Sequence, residues 1–198
     1  MNLAQLLERT ALSQGDRIAL ARGTTTIADY STLARRAATL AGALRGRYGL
    51  AEGDRVALAM KNCPAYVEVL FGLWWAGLAA VPMNAKLHAR EFRYMLEDSG
   101  ARLCFVTGDL AGTLGEAAEG LGGLHEIVDV GSAAYERLTA GEPAPMAACG
   151  GDALAWLFYT SGTTGRPKGA MLSHANLLAM TACYFADVDA VAAGDSIL

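Results

Sequence analysis

The chain predicts an α/β fold, a largely parallel sheet flanked by helices. Apolar runs of strand length alternate with amphipathic stretches of helical length from residue 17 to residue 138. Gly and Pro punctuate the junctions between them. Of the 198 residues, 53% are hydrophobic, enough to bury a sizeable core.

Taken in order, residues 17–22 and 24–28 predict a short strand pair turning at Gly23. Asp29 suits the N-cap of a helix that aligns Tyr30, Leu33, Ala37, Leu40 and Leu44 on one face. Residues 55–60 read as a buried strand. Pro64 fits the first position of the next helix, where its missing N–H removes no bond. That helix stripes Tyr66, Val69, Leu70, Leu73 and Trp74. The apolar run 69–81, closed by Pro82, is too short to span a bilayer and reads as a buried core helix. Trp74 and Trp75 are expected in the core and on the helix surface, and Asn84 in a structural turn. A helix over 88–98 stops at Gly100, with Glu91 and Glu97 as solvated carboxylates. A strand at 102–107, a helix near 110–121, a strand at 126–130 and a short helix near 133–138 follow.

Residues 139–151, TAGEPAPMAACGG, read as a linker because they are rich in Pro, Gly and Ala. The expected division is 1–150, then a strand–loop–strand–helix unit over 151–198 of the same domain. Within that unit, 153–159 is an apolar strand, 169–172 a returning strand, and Ser173 the cap of a helix over 174–186.

Composition excludes several classes. The net charge of −4 and the lack of a basic cluster argue against nucleic-acid binding. Arg35, Arg36, Arg45 and Arg47 read as the solvated side of one helix. Cys63, Cys104, Cys149 and Cys183 have no paired spacing, so reduced thiols in a cytoplasmic protein are expected. His88, His125 and His174 form no metal-ligand pattern, and His174 reads as a helix-start or packing residue. Glu8, Arg9, Asp16 and Arg17 interrupt any secretion signal.

The chemistry concentrates in residues 159–169, YTSGTTGRPKG. Glycines allow close backbone approach, while Thr160, Ser161, Thr163 and Thr164 offer hydroxyls and Lys168 an ammonium. Such a loop suits a nucleotide polyphosphate. It is not the P-loop: counted from Gly162, the second glycine falls on Pro167 and the Ser/Thr on Gly169. The dinucleotide fingerprint Gly-x-Gly-x-x-Gly is absent from it as well.

YTSGTTGRPKG resembles the phosphate loop of the adenylate-forming enzymes, the AMP-forming acyl-CoA synthetases and their kin. Residues 72–107, with the Val-Pro-Met-Asn turn, resemble the upstream part of the same family, and the likeness runs from about Leu6 onward. It implies that the chain is an incomplete N-terminal part of that family's large domain. It implies ATP, Mg2+ and coenzyme A as cosubstrates and cofactor, and a small-molecule carboxylic acid, fatty or related, as substrate. Thr160, Ser161, Gly162, Thr163, Thr164, Gly165 and Lys168 would line the phosphates. No catalytic residue and no metal ligand is assigned in this chain, because complete members are more than twice as long. The fragment alone is therefore expected to be inactive. Its exposed sheet edge is expected to favour self-association. The alternative is a naturally short, non-catalytic nucleotide- or partner-binding protein that retains the loop.

Overall fold

The computed structural model describes residues 1–160, 166–192 and 194–196. Helix α1 (Ala4–Gln14) has no cap signal in the sequence, since Leu3 stands at its N-cap without a side-chain bond. Strands β1 (Ile18–Arg22) and β2 (Thr25–Asp29) form a separate antiparallel ribbon. The Asp29 carboxylate accepts from the Thr32 N–H at 2.7 Å and starts α2 (Tyr30–Gly46), as the sequence predicts. Strand β3 (Arg55–Ala59) leads to α3 (Pro64–Trp75), with the proline in the first turn.

The apolar run 69–81 departs from the expectation of one helix. Helix α3 ends at Trp75, Gly77 turns the chain at φ +77°, and Ala79–Pro82 is strand β4. A positive φ ends the helix at a residue without Cβ. Short apolar runs carry no period that separates buried helix from buried strand.

Helix α4 (Ala89–Ser99) stops at Gly100 in the left-handed region, followed by β5 (Leu103–Val106). A single 3-10 turn (Gly108–Leu110) precedes α5 (Ala111–Ala118). Then come β6 (Ile127–Asp129), α6 (Ala133–Thr139), β7 (Leu154–Thr160), β8 (Lys168–Ser173) and α7 (His174–Cys183). The main sheet has the order β6-β5-β3-β4-β7-β8, parallel throughout except for the antiparallel β7–β8 pair.

Alternate residues of β3 serve two cores. Val56 and Leu58 face α1, α2, α3 and α6, whereas Ala57 and Ala59 face α4 and α5. Phe92 and Phe105 are fully buried on opposite faces. Each such side chain contributes roughly 1.5–3 kcal/mol.

Beyond Thr139, which ends α6, the predicted linker holds no helix or strand, but it is tied to the core. The Ala144 and Ala147 N–H groups donate to Ala38 and Trp75 carbonyls at 3.1 and 2.8 Å. The Trp75 indole donates to the Ala144 carbonyl at 2.9 Å, so Trp75 is buried, not on the helix surface. Trp74 donates to the Ala155 carbonyl at 2.9 Å and is core, as expected. Asn84 accepts from the Lys86 N–H at 2.9 Å, a structural turn.

Candidate functional site

The β7–β8 hairpin builds the site. Five residue pairs from Trp156↔Leu172 to Thr160↔Lys168 run in continuous register, after a shift between Leu154 and Trp156. Thr160 and Lys168 therefore face each other at the open end, both exposed, at the two limbs of the loop. The Lys168 ammonium has no ion pair or hydrogen bond among the described residues. Ser161, Gly162, Thr163, Thr164 and Gly165 lie outside the described residues.

Gly169 has a packing role. A Cβ there would lie 2.9 Å from Leu157 Cδ1 and 3.2 Å from the Tyr159 ring. Tyr159 is its register partner, so the small residue lets the tyrosine lie across the strand. The Tyr159 hydroxyl donates to Asp98 Oδ2 at 2.6 Å. Burial and that carboxylate raise the Tyr159 hydroxyl well above its ordinary pKa, keeping it a donor.

A second anchor comes from the same helix. The Tyr94 hydroxyl donates to the Pro167 carbonyl at 3.0 Å, and the Arg166 guanidinium lies 5.9 Å from the Tyr94 ring centre. The Tyr94 and Tyr159 rings meet edge-on at 6.5 Å. Tyr94 and Asp98 stand four apart on α4, so they share one face. That spacing is readable in the sequence, although neither residue was assigned to the site from it. Their neighbours Glu91 and Glu97 do local work instead. Glu91 accepts from the His88 N–H at 3.0 Å at the start of α4, a capping role beyond a merely solvated carboxylate, and Glu97 pairs with Arg93 at 3.1 Å.

The donor set at the loop mouth fits an anion: an exposed threonine and, among the described residues, an ammonium without a partner on adjacent strands. A magnesium site is not formed by the residues in view. Among the described residues no group of three or more His, Cys, Asp or Glu could hold a metal ion.

Two clusters away from the hairpin correct sequence expectations. Arg36 is not on a solvated helix side. It bonds Glu68 at 2.5 Å and Glu136 at 3.2 Å, while the Tyr135 hydroxyl also donates to Glu68. Burial works against the Arg36 charge, yet its bonds to Glu68 and Glu136 hold the guanidinium above its ordinary pKa. His174 is fully buried, as a packing residue should be. Its Nδ1 accepts from the Leu3 N–H at 3.1 Å, which leaves the proton on Nε2, 3.5 Å from the Cys149 sulfur. A histidine donating to the thiol cannot also deprotonate it, so the pair is a clasp. Burial, and then the Glu52 charge, pushes the Cys149 thiol up. The cysteines are all free: Cys104 and Cys149 buried, Cys63 partly so, Cys183 exposed. Among the described residues no helix is long and apolar enough to cross a membrane.

The chain resembles known ligases in both sequence and structure. The family model described as AMP-binding enzyme matches residues 7–198. A feruloyl-CoA synthase of Amycolatopsis sp is 43% identical over 148 residues, spanning 75% of this chain and 28% of that protein. The long-chain-fatty-acid–CoA ligase FadD13 of Mycobacterium tuberculosis is 32% identical over 167 residues, 83% of this chain and 32% of that protein. A crystal structure of a benzoate CoA ligase from Burkholderia xenovorans LB400 superposes with a TM-score of 0.86 at 29% identity, covering 97% of this chain and 38% of that one. This chain thus spans about a third of the length of these relatives. A matched family model over nearly the whole chain, carried on the fold and hairpin described above, shows that the protein belongs to the AMP-binding enzyme family.

Proposed function

We propose that this chain is the phosphate-loop portion of an AMP-forming acid–thiol ligase, which activates a carboxylic acid with ATP and passes the acyl group to coenzyme A. The carrying observation is the hairpin that sets Thr160 opposite Lys168 across YTSGTTGRPKG, with no partner for Lys168 among the described residues. In this reading Thr160 donates a hydrogen bond to the bound polyphosphate and Lys168 sets a positive charge beside it. Ser161, Gly162, Thr163, Thr164 and Gly165 complete the cradle. Adenylation sets a carboxylate against an α-phosphate that already carries charge, with pyrophosphate as leaving group. Fixed donors at the terminal phosphates stabilise that leaving group. Magnesium would add charge neutralisation there.

The substrate is an organic acid of the fatty or aryl kind. The Ala- and Leu-rich sequence with Val-Pro-Met-Asn supports the fatty branch, and the 43% identity to a feruloyl-CoA synthase supports an aromatic acid. Carboxylate-dependent ATP–pyrophosphate exchange tests the reading. In a protein that carries this segment with the remaining family length, exchange should respond to one of ferulate, benzoate or a long-chain fatty acid. The 198-residue chain alone should give none. Lack of exchange with every acid in the longer protein would favour a non-catalytic nucleotide-binding role for the loop.

Self-association through the sheet edge belongs to the same reading. Strand β8 pairs only with β7 among the described residues; Met171 on it is 71% exposed, and Met180 and Phe185 in the helical segment that follows are 61% and 55% exposed. A second copy could add to that edge. Light scattering of the 198-residue chain should show mass growing with concentration; a strictly monomeric profile removes the idea.

A further inference from the structure

A second candidate site lies on the opposite side of the sheet centre from the hairpin. The connection after β3 runs through α3 to β4, and α3 lies on one face. The connection after β5 runs the other way through α5 to β6, on the other face. Strands β3 and β5 stay paired to Ala59↔Val106, and the connections beyond their carboxyl ends leave in opposite directions; open α/β sheets hold ligands in the crevice at such a point. A cavity of about 630 Å³ sits there, lined by Cys63 and Pro64 after β3, Thr107 and Gly108 after β5, and Asp129 at the end of β6. Its size is in the range of small-molecule sites. The β1–β2 ribbon and α2 wall its outer side with Leu20, Arg22, Ile27 and Arg35. Neither Thr160 nor Lys168 reaches it.

The charges around this cavity fall into two groups. Its carboxylates have partners within the chain: Glu68 and Glu136 share Arg36, and one oxygen of Asp129 accepts from the Gly131 N–H at 2.9 Å. Arg22 and Arg35 are exposed and have no hydrogen bond or ion pair among the described residues. Two guanidinium-bearing residues thus stand on one wall, beside partly exposed apolar side chains.

We propose that this cavity binds a small organic phosphate, its phosphoryl group held by Arg22 and Arg35 and its apolar part lying against Leu20, Ile27 and Pro64. Each guanidinium presents a planar fork of donors that matches phosphate oxygens in a bidentate manner. Ile27, 46% exposed, would be covered by the ligand body.

Phenyl phosphate is the probe, titrated into the purified chain and followed at the arginine Nε–H signals. The half-buried Cys63 thiol supplies a second reading, since it lines the cavity while exposed Cys183 lies on α7. Bound ligand should slow alkylation of Cys63 but leave Cys183 unchanged. The double variant Arg22→Ala/Arg35→Ala should weaken binding at least about tenfold, and Lys168→Ala should bind as the parent does. Undiminished binding by the double variant overturns the proposal. So does equal affinity for inorganic phosphate, which would leave the apolar wall without a role. Loss of binding in Lys168→Ala assigns the probe to the phosphate loop and also overturns it. Should the double variant unfold, Arg35→Ala with the Cys63 reading decides in its place.

Discussion

The Arg36–Glu68–Tyr135 cluster and the mouth of the β7–β8 hairpin both carry charge, but only one of them is closed. In the cluster every polar group has a partner: Glu68 is 7% exposed and bound by Arg36 and Tyr135. At the hairpin mouth Lys168 is exposed with no partner among the described residues, although the strand beneath it is tied to α4 through Tyr159 and Asp98. A buried charge must be matched within the protein, because desolvation is not recovered otherwise. A charge left open on a rigid support is available to a ligand. The contrast separates groups matched inside the fold from a group left at the surface.

Glu68→Ala should break the closed side hardest. It strands Arg36 and the Tyr135 hydroxyl, and a loss of about 3 kcal/mol is expected in urea unfolding. A loss below about 1 kcal/mol would place the cluster with surface ion pairs and erase the contrast. Gly169→Val tests the support beneath the open side. Its added Cβ meets Leu157 and Tyr159, so about 1–3 kcal/mol should be lost, with the Tyr159–Asp98 bond disturbed. Unchanged stability would show that the hairpin yields easily there.

The His174 clasp gives a pH dependence of intermediate size. Burial, then the amino-terminal charge, lowers its folded pKa below the ordinary 6.5. Between those values the unfolded chain binds a proton that the folded chain refuses. Stability should therefore fall as pH drops below about 6.5, by at most about 1.4 kcal/mol per pH unit. Unfolding at pH 7.5 and 5.5 in the parent and His174→Gln checks this, and equal slopes would remove His174 from the effect. Lys168→Ala should have the smallest effect on stability, within about 0.5 kcal/mol. In the longer protein the same change should reduce pyrophosphate exchange by about 100-fold. A stability loss above 1 kcal/mol, or intact exchange, would undo the distinction from the other direction.

Much of this was legible from local signals. Asp29, Pro64, Gly100 and Ser173 mark their helix ends through short-range backbone chemistry, and each stands where it was expected. The loop motif declared itself by residue type and spacing. Strand β4 was hidden because four apolar residues have no usable period, and its place between β3 and β7 is set by pairing across long sequence separations. The burial of Trp75 was equally hidden, since it depends on a linker that reads as loose but lies bonded to α3.

The sequence by itself determined the α/β class, most element ends and the phosphate-loop string, because propensity, capping and motif spacing act within a few residues. Only the tertiary structure decided which charges are matched. It joined Arg36 on α2 to Glu68 on α3, tied Tyr159 to Asp98 on α4, and left Lys168 without a partner among the described residues. Those outcomes depend on which distant segments the sheet brings together, and on the desolvation that makes a partner necessary.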